Sequence, residues 1–131
     1  GTDATIIATG VVVSEAIEAM EELKNMGINV RVIDMHTIKP IDKDIIIKAA
    51  KDTKKLITVE DHNIIGGLGS AVCEVLAENY PTKVYRMGIK DEFGKSGKAD
   101  DLLKYFQIDK STIIKAVTEN NWCKFLCTLL Q

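Results

Sequence analysis

At 131 residues, the chain has the length of one ordinary domain, which argues against a multidomain enzyme with a core in each part. Hydrophobic residues make up 46% and charged residues 27% of it, an apolar content that offsets the entropy of ordering the chain and excludes wholesale disorder. Lys and Arg number 17 against 19 Asp and Glu, a formal charge of -2, and the cations from Lys83 to Lys104 are interleaved with Asp91, Glu92, Asp100 and Asp101, so no basic footprint for nucleic acid emerges.

Ala4 to Thr9, rich in Ile and Thr and bounded by Gly10, has the pattern of a buried parallel strand. From Ser14 the period changes. Ala16, Ile17, Met20 and Leu23 fall three or four apart and predict an amphipathic helix, with Ser14 as its N-cap and Gly27 at its stop. Ile28 to Asp34 returns to strand character. Pro40 then breaks the chain, and Asp42 is placed to cap a helix burying Ile45, Ile46 and Ala49 or Ala50. Leu56 to Glu60 is a third strand, followed by Asp61-His62-Asn63, a glycine-bearing turn and a helix marked by Leu68, Val72, Val75 and Leu76. After Pro81, Val84 to Ile89 is a fourth strand. Two helices are expected beyond it, about 99–106 and 109–120, the second capped by Asp109 and burying Ile113, Ile114 and Val117. Strands alternating with helices predict a three-layer α/β/α domain with an open, mainly parallel sheet.

The sequence has no run of about 18 apolar residues and no basic-then-apolar leader, so neither a membrane span nor a signal peptide is expected. It opens Gly1-Thr2-Asp3 without Met, as a trimmed chain would. Cys73 sits in an apolar helical run and Cys123 and Cys127 lie near the end; this odd set without a paired framework suits a reduced, cytosolic setting. A zinc site needs about four ligands, and neither His36 nor His62 is close to the terminal cysteines, so no metal is expected. The domain is read as residues 1–121. Residues 122–131, with Phe125, Leu126, Leu129 and Leu130, form a tail that is either a docked terminal helix or foreign sequence.

Open parallel sheets bind ligands beyond the carboxyl ends of their strands, where strand order reverses. Two segments suit that place: Gly10 to Val13, and Asp61 to Gly69. Gly66, Gly67 and Gly69 at a helix start could offer N–H groups to an anion, although tight helix–sheet packing calls for the same glycines. The run is neither a dinucleotide fingerprint nor a P-loop. His62, between Asp61 and Asn63, could act as an acid or base or simply as a hydrogen-bonded loop residue. Glu60 and Asp61 are the carboxylates best placed at the third strand's end, and no Gly-x-Ser-x-Gly elbow is present.

In order, Thr5-Ile6-Ile7-Ala8-Thr9-Gly10, Ser14-Glu15-Ala16, the run from Arg31 to Asp42 and the run from Val59 to Val72 resemble the C-terminal domain of transketolase-type thiamine diphosphate enzymes. The resemblance spans about residues 3–120. Asp91-x-Phe93-Gly94-x-Ser96-Gly97 is similar to a transketolase motif and favours that branch over deoxyxylulose-phosphate synthases and 2-oxo-acid dehydrogenase beta subunits; split transketolases are the nearest pattern.

The resemblance implies a sheet of order 2-1-3-4, its second strand at an edge, lacking an antiparallel strand that the family places before the first. It also implies a cytoplasmic parent enzyme that moves a two-carbon ketol unit between sugar phosphates on thiamine diphosphate and magnesium. The family's diphosphate- and magnesium-holding Gly-Asp-Gly…Asn motif is absent, as is the pyrimidine-binding domain with its activating glutamate. The implied partners are therefore the pyrimidine- and diphosphate-binding domains or subunit, with homodimerisation through this domain. No catalytic or cofactor-binding residue is carried over, and no turnover is expected from the chain alone. Asp61, His62, Asn63, Gly66, Gly67 and Gly69 stand as an interface or anion-binding loop. A competing reading is a stand-alone module that binds a phosphorylated metabolite at the loops after the first and third strands.

Overall fold

A computed structural model describes residues 3–35, 41–53, 55–63, 67–89 and 108–119. In chain order the elements are β1 (Ala4–Ala8), α1 (Val12–Asn25), β2 (Val30–Asp34), α2 (Lys43–Thr53), β3 (Leu56–Asn63), α3 (Leu68–Asn79), β4 (Val84–Ile89) and α4 (Lys110–Thr118). The strands form one sheet in the order β2-β1-β3-β4, every pairing parallel. This is the architecture and order expected from the sequence. The helix expected at 99–106, the Asp91–Gly97 motif, His36, Gly66 and the tail at 122–131 lie outside the described residues.

Parallel strands must be joined by crossovers, and the helices of those crossovers cover both faces of the sheet. On one face, α1 and α4 close over Ala4, Ile6, Ala8, Ile57, Val59 and Met87. On the other, α2 and α3 close over Ile7, Ile33, Leu56 and Val84. Central β1 is buried along its whole length, as a strand covered on both sides must be. Each fully buried Ile or Leu side chain in these layers contributes about 1.5–3 kcal/mol relative to exposure. Where β1 meets α2, the buried hydroxyls of Thr5 and Thr53 lie 2.9 Å apart and Thr53 Oγ1 donates to the Ala49 carbonyl at 2.8 Å, which satisfies both polar groups inside the layer.

Several local expectations need correction. Helix α1 starts two residues before Ser14, at Val12, and its cap position Val11 supplies no side-chain bond; Ser14 Oγ donates back to the Val11 carbonyl at 3.1 Å. Its buried face holds Val12, Ala16, Ala19 and Leu23, while Ile17 is 41% exposed. Close approach of a helix to the sheet favours the small Ala19 on the inner side. On α2 likewise, Ile46, Ala49 and Ala50 are buried and Ile45 faces out. In α4, Ala116 joins Ile113 and Val117 in the core and Ile114 is partly buried against it.

The end of α1 follows the sequence reading. Gly27 has φ +83°, its N–H bonds to the Lys24 carbonyl and the Ile28 N–H to the Leu23 carbonyl, at 3.0 and 2.9 Å. This crossed pair terminates the helix and needs a left-handed residue, which glycine adopts without strain.

Candidate functional site

With the order β2-β1-β3-β4, the direction of winding reverses between β1 and β3, so the crevice of this fold lies beyond Ala8 and Val59. On the β1 side the chain turns tightly. Gly10 takes φ +74°, Thr9 N–H donates to the Val59 carbonyl at 3.3 Å, and α1 begins at once.

On the β3 side the strand runs on past Glu60 to Asn63, three residues longer than its sequence pattern suggests. Val59 pairs with Met87 and Asn63 with Ile89, so Glu60, Asp61 and His62 stand opposite Gly88 alone. Such a bulge re-aims side chains and is a common feature beside functional sites.

Its first residue has a defined task. Glu60 is 1% exposed, and its two carboxylate oxygens accept from Leu68 N–H at 3.0 Å and Gly69 N–H at 2.8 Å. The first turn of α3 carries no acidic residue, and its cap, Gly67, has no side chain to offer. A negative group is nevertheless favoured there by the unpaired N–H groups and the helix dipole. Glu60 supplies that charge from the neighbouring strand, and the two charge-assisted bonds compensate for burying it.

Gly69 is where helix and sheet come closest. A Cβ at this position would lie 2.7 Å from Arg86 Nε and 3.0 Å from Thr58 Oγ1. Arg86, paired with Thr58 in register, donates from Nη2 to Ser70 Oγ at 2.7 Å. Thr58 Oγ1 is buried and has no hydrogen-bond partner among the described residues. Glu60, Thr58, Arg86, Gly69 and Ser70 therefore make one polar seam between β3, β4 and the start of α3.

Of the residues singled out from sequence, the structure brings Gly67 and Gly69 together with Glu60 at this seam. Gly67 caps α3 in an extended conformation, with φ -93° and ψ -151°. Asp61, His62 and Asn63 follow within β3 as backbone, and their side chains, like Gly66, lie outside the described residues. Arg86, Thr58 and Ser70 were not singled out. Arg86 could have been, since it interrupts the otherwise apolar strand pattern Val84-Tyr85-Arg86-Met87.

The N-terminus of α4 is built differently. Asp109 accepts from Thr112 N–H at 3.4 Å and from its hydroxyl at 2.6 Å, Glu15 of α1 accepts from Lys110 N–H at 2.9 Å, and Lys110 Nζ reaches Glu22 at 2.8 Å. The Glu22 carboxylate holds the Lys110 ammonium above its usual range. Burial pushes the Cys73 thiol up, so it is not primed as a nucleophile.

The sequence matches the model of the transketolase C-terminal domain over residues 1–113. The chain belongs to that family. A Methanocaldococcus jannaschii protein named as a transketolase C-terminal section is 55% identical over 120 residues, covering 91% of this chain and 37% of that protein. A 6-deoxy-6-sulfo-D-fructose transketolase subunit from Clostridium is 42% identical over 119 residues, with the same coverage of 91% and 37%. The solved structure of a split-gene transketolase, an inactive beta4 tetramer, superimposes with a TM-score of 0.85 at 40% identity, covering 97% of this chain and 40% of that one. The transketolase C-terminal domain described here thus spans well under half the length of the relatives it matches.

Transketolases depend on thiamine diphosphate. Among the described residues, no three His, Cys, Asp or Glu side chains gather as a metal site. The N-terminus of α3 at the crevice faces the Glu60 carboxylate, whose charge repels a diphosphate. The described residues do not fit the cofactor's magnesium diphosphate group, and no chemical step is assigned to them. No described helix is long and apolar enough to cross a membrane.

Proposed function

We propose that this transketolase C-terminal domain is a scaffold and assembly domain of a cytoplasmic two-carbon ketol transferase, inactive by itself. Its partners would be the pyrimidine- and diphosphate-binding domains or subunit, in an assembly built around a homodimer to which the rim at Asp61–Gly69 contributes. Thiamine diphosphate and magnesium would bind among those partners.

The observation that carries the reading is the Glu60 bond pair to Leu68 and Gly69 N–H. The phosphate cradle that the glycines suggested is taken by the chain's own carboxylate, so a phosphorylated metabolite would have to displace a buried anion. That weighs against the stand-alone binding module and leaves the rim as a packing surface. The relatives named as transketolase sections or subunits, and the inactive tetramer of a split-gene relative, support the same reading.

The test is reconstitution. Ketol transfer between a ketose phosphate and an aldose phosphate is measured with thiamine diphosphate and magnesium, first with the chain alone and then with the missing domains supplied. Activity is expected in the second case alone, together with a complex on size exclusion. Turnover by the chain alone, or saturable calorimetric binding of sugar phosphates to it, refutes the proposal.

A further inference from the structure

We propose that Glu60 is a positioning residue: an anion held within the chain that locks the start of α3 to the β3 bulge and so sets the backbone rim at Asp61–Asn63 presented to a partner. The last clause rests on the assembly role proposed above; the lock itself does not.

Three observations converge on the lock. The carboxylate is 1% exposed and uses both oxygens on consecutive N–H groups of α3, at 3.0 and 2.8 Å. Among the described residues those groups have no other cap: Gly67 lacks a side chain and the first turn of α3 lacks an acid. The helix end is also tightly packed on the same face of the sheet, where a Cβ at Gly69 would lie 2.7 Å from Arg86 Nε and 3.0 Å from Thr58 Oγ1.

The consequence concerns the strand. Glu60 is the first of three β3 residues standing opposite Gly88 alone, and a bulge in a parallel pair loses ladder bonds. With its first side chain fastened to α3, the bulged segment is tied at one end by Glu60 and at the other by the Asn63 to Ile89 pairing. Without that fastening, the three residues between the Val59–Met87 and Asn63–Ile89 pairings would have no side-chain tie of Glu60 to α3 to fix their path.

The experiment separates lock from assembly. Glu60→Gln keeps the shape but removes the charge and turns one acceptor into a donor. Amide exchange in the folded chain is expected to speed up about tenfold or more at Leu68 and Gly69 while the second half of α3 is unchanged. In the same variant, association with the missing transketolase domains is expected to weaken about tenfold at unaltered helix content. Glu60→Gly is expected to melt roughly 10 °C lower and to regain part of that loss in formate but not in chloride of equal ionic strength, since formate can refill the vacated carboxylate position. If Glu60→Gly does not fold, the exchange and association of Glu60→Gln decide. Unchanged exchange at both amides overturns the lock. Faster exchange with wild-type association overturns the positioning of the rim, whereas a wild-type chain that never associates refutes the assembly role and leaves the lock to the exchange data.

Discussion

The two faces of the sheet solve different problems. Beneath α1 and α4, the sheet presents Ala4, Ile6, Ala8, Ile57, Val59 and Met87, an apolar layer continued by Leu23, Ile113 and Val117. Beneath α2 and α3, apolar Ile7, Ile33 and Leu56 share the layer with buried Thr5, Thr58 and Glu60, and Arg86 reaches the start of α3. The first face is held by burial, which is non-directional and tolerates any well-packed solution of the right volume. The second is held in part by directed bonds, which fix one helix end relative to one strand end. Position matters most at the crevice rim, where the Glu60 bond pair and the Arg86–Ser70 bond lie; elsewhere directed bonds join single pairs of elements, Thr5 to Thr53 at the far end of β1 and Glu15 and Glu22 to Lys110 between α1 and α4.

The contrast breaks most severely if the apolar face is emptied. Leu23 is fully buried in the core cluster that also holds residues of β1 and α4, and Leu23→Ala removes its side chain from a packed layer. Urea unfolding is expected to register a loss of about 3 kcal/mol. Amide protection at Leu68 and Gly69 should fall only through global unfolding. A selective loss at α3 would show that the two faces are coupled more tightly than their separate cores imply.

Gly69→Ala probes the polar seam with a single carbon. The added Cβ would meet Arg86 Nε at 2.7 Å and Thr58 Oγ1 at 3.0 Å, so the Arg86 side chain must shift and strain its bond to Ser70. A cost of about 2 kcal/mol is expected, as for overpacking of a filled interior. Stability equal to wild type would mean that Arg86 moves freely and that the seam is less rigid than the apolar face.

How far the sequence discloses each region follows from the range of its interactions. Asp109 and Asp42 were legible as caps because each accepts a bond from the N–H three residues on, a spacing visible in one dimension. Gly27 was legible for the same local reason. Strand order followed from the resemblance, and the alternation of strand and helix implied layers covering both faces. The rest is long-range. Ser14 looks like a cap, but the turn after β1 is so tight that α1 has already begun at Val12. Ile17 fits the period as well as Ala19 does, and only the closeness of helix to sheet selects the alanine. Glu60 could be noticed as a carboxylate at a strand end, but its partners lie eight and nine residues onward and meet it through a bulge that no residue pattern announces. One clue was available: a helix start built of Gly67, Leu68, Gly69 and Ser70 carries no acidic group of its own and invites one from elsewhere.

A second carboxylate in the same layer gives the finest test. Asp52, on the outer side of α2, receives Lys48 Nζ at 3.2 Å and Arg31 Nη2 at 3.1 Å. Lys48 foremost and then Arg31 hold its carboxyl below the ordinary value of 3.8. A folded pKa below the unfolded one means that the pair stabilises the fold above the unfolded value, and that this contribution is lost as pH falls through the folded value. Because the carboxylate lies at the surface, the effect on stability is small and salt weakens it. Carbon-13 titration of Asp52 is expected to give a pKa under 3.8, with Lys48→Met raising it more than Arg31→Met. About 1 M sodium chloride should bring it back toward the ordinary value, whereas Leu68 and Gly69 amide exchange should not respond to that salt, because a buried bond pair is screened far less. Equal salt sensitivity at the two places would show Glu60 to be as solvated as Asp52, and the distinction between a directed interior clamp and an ordinary surface ion pair would fail.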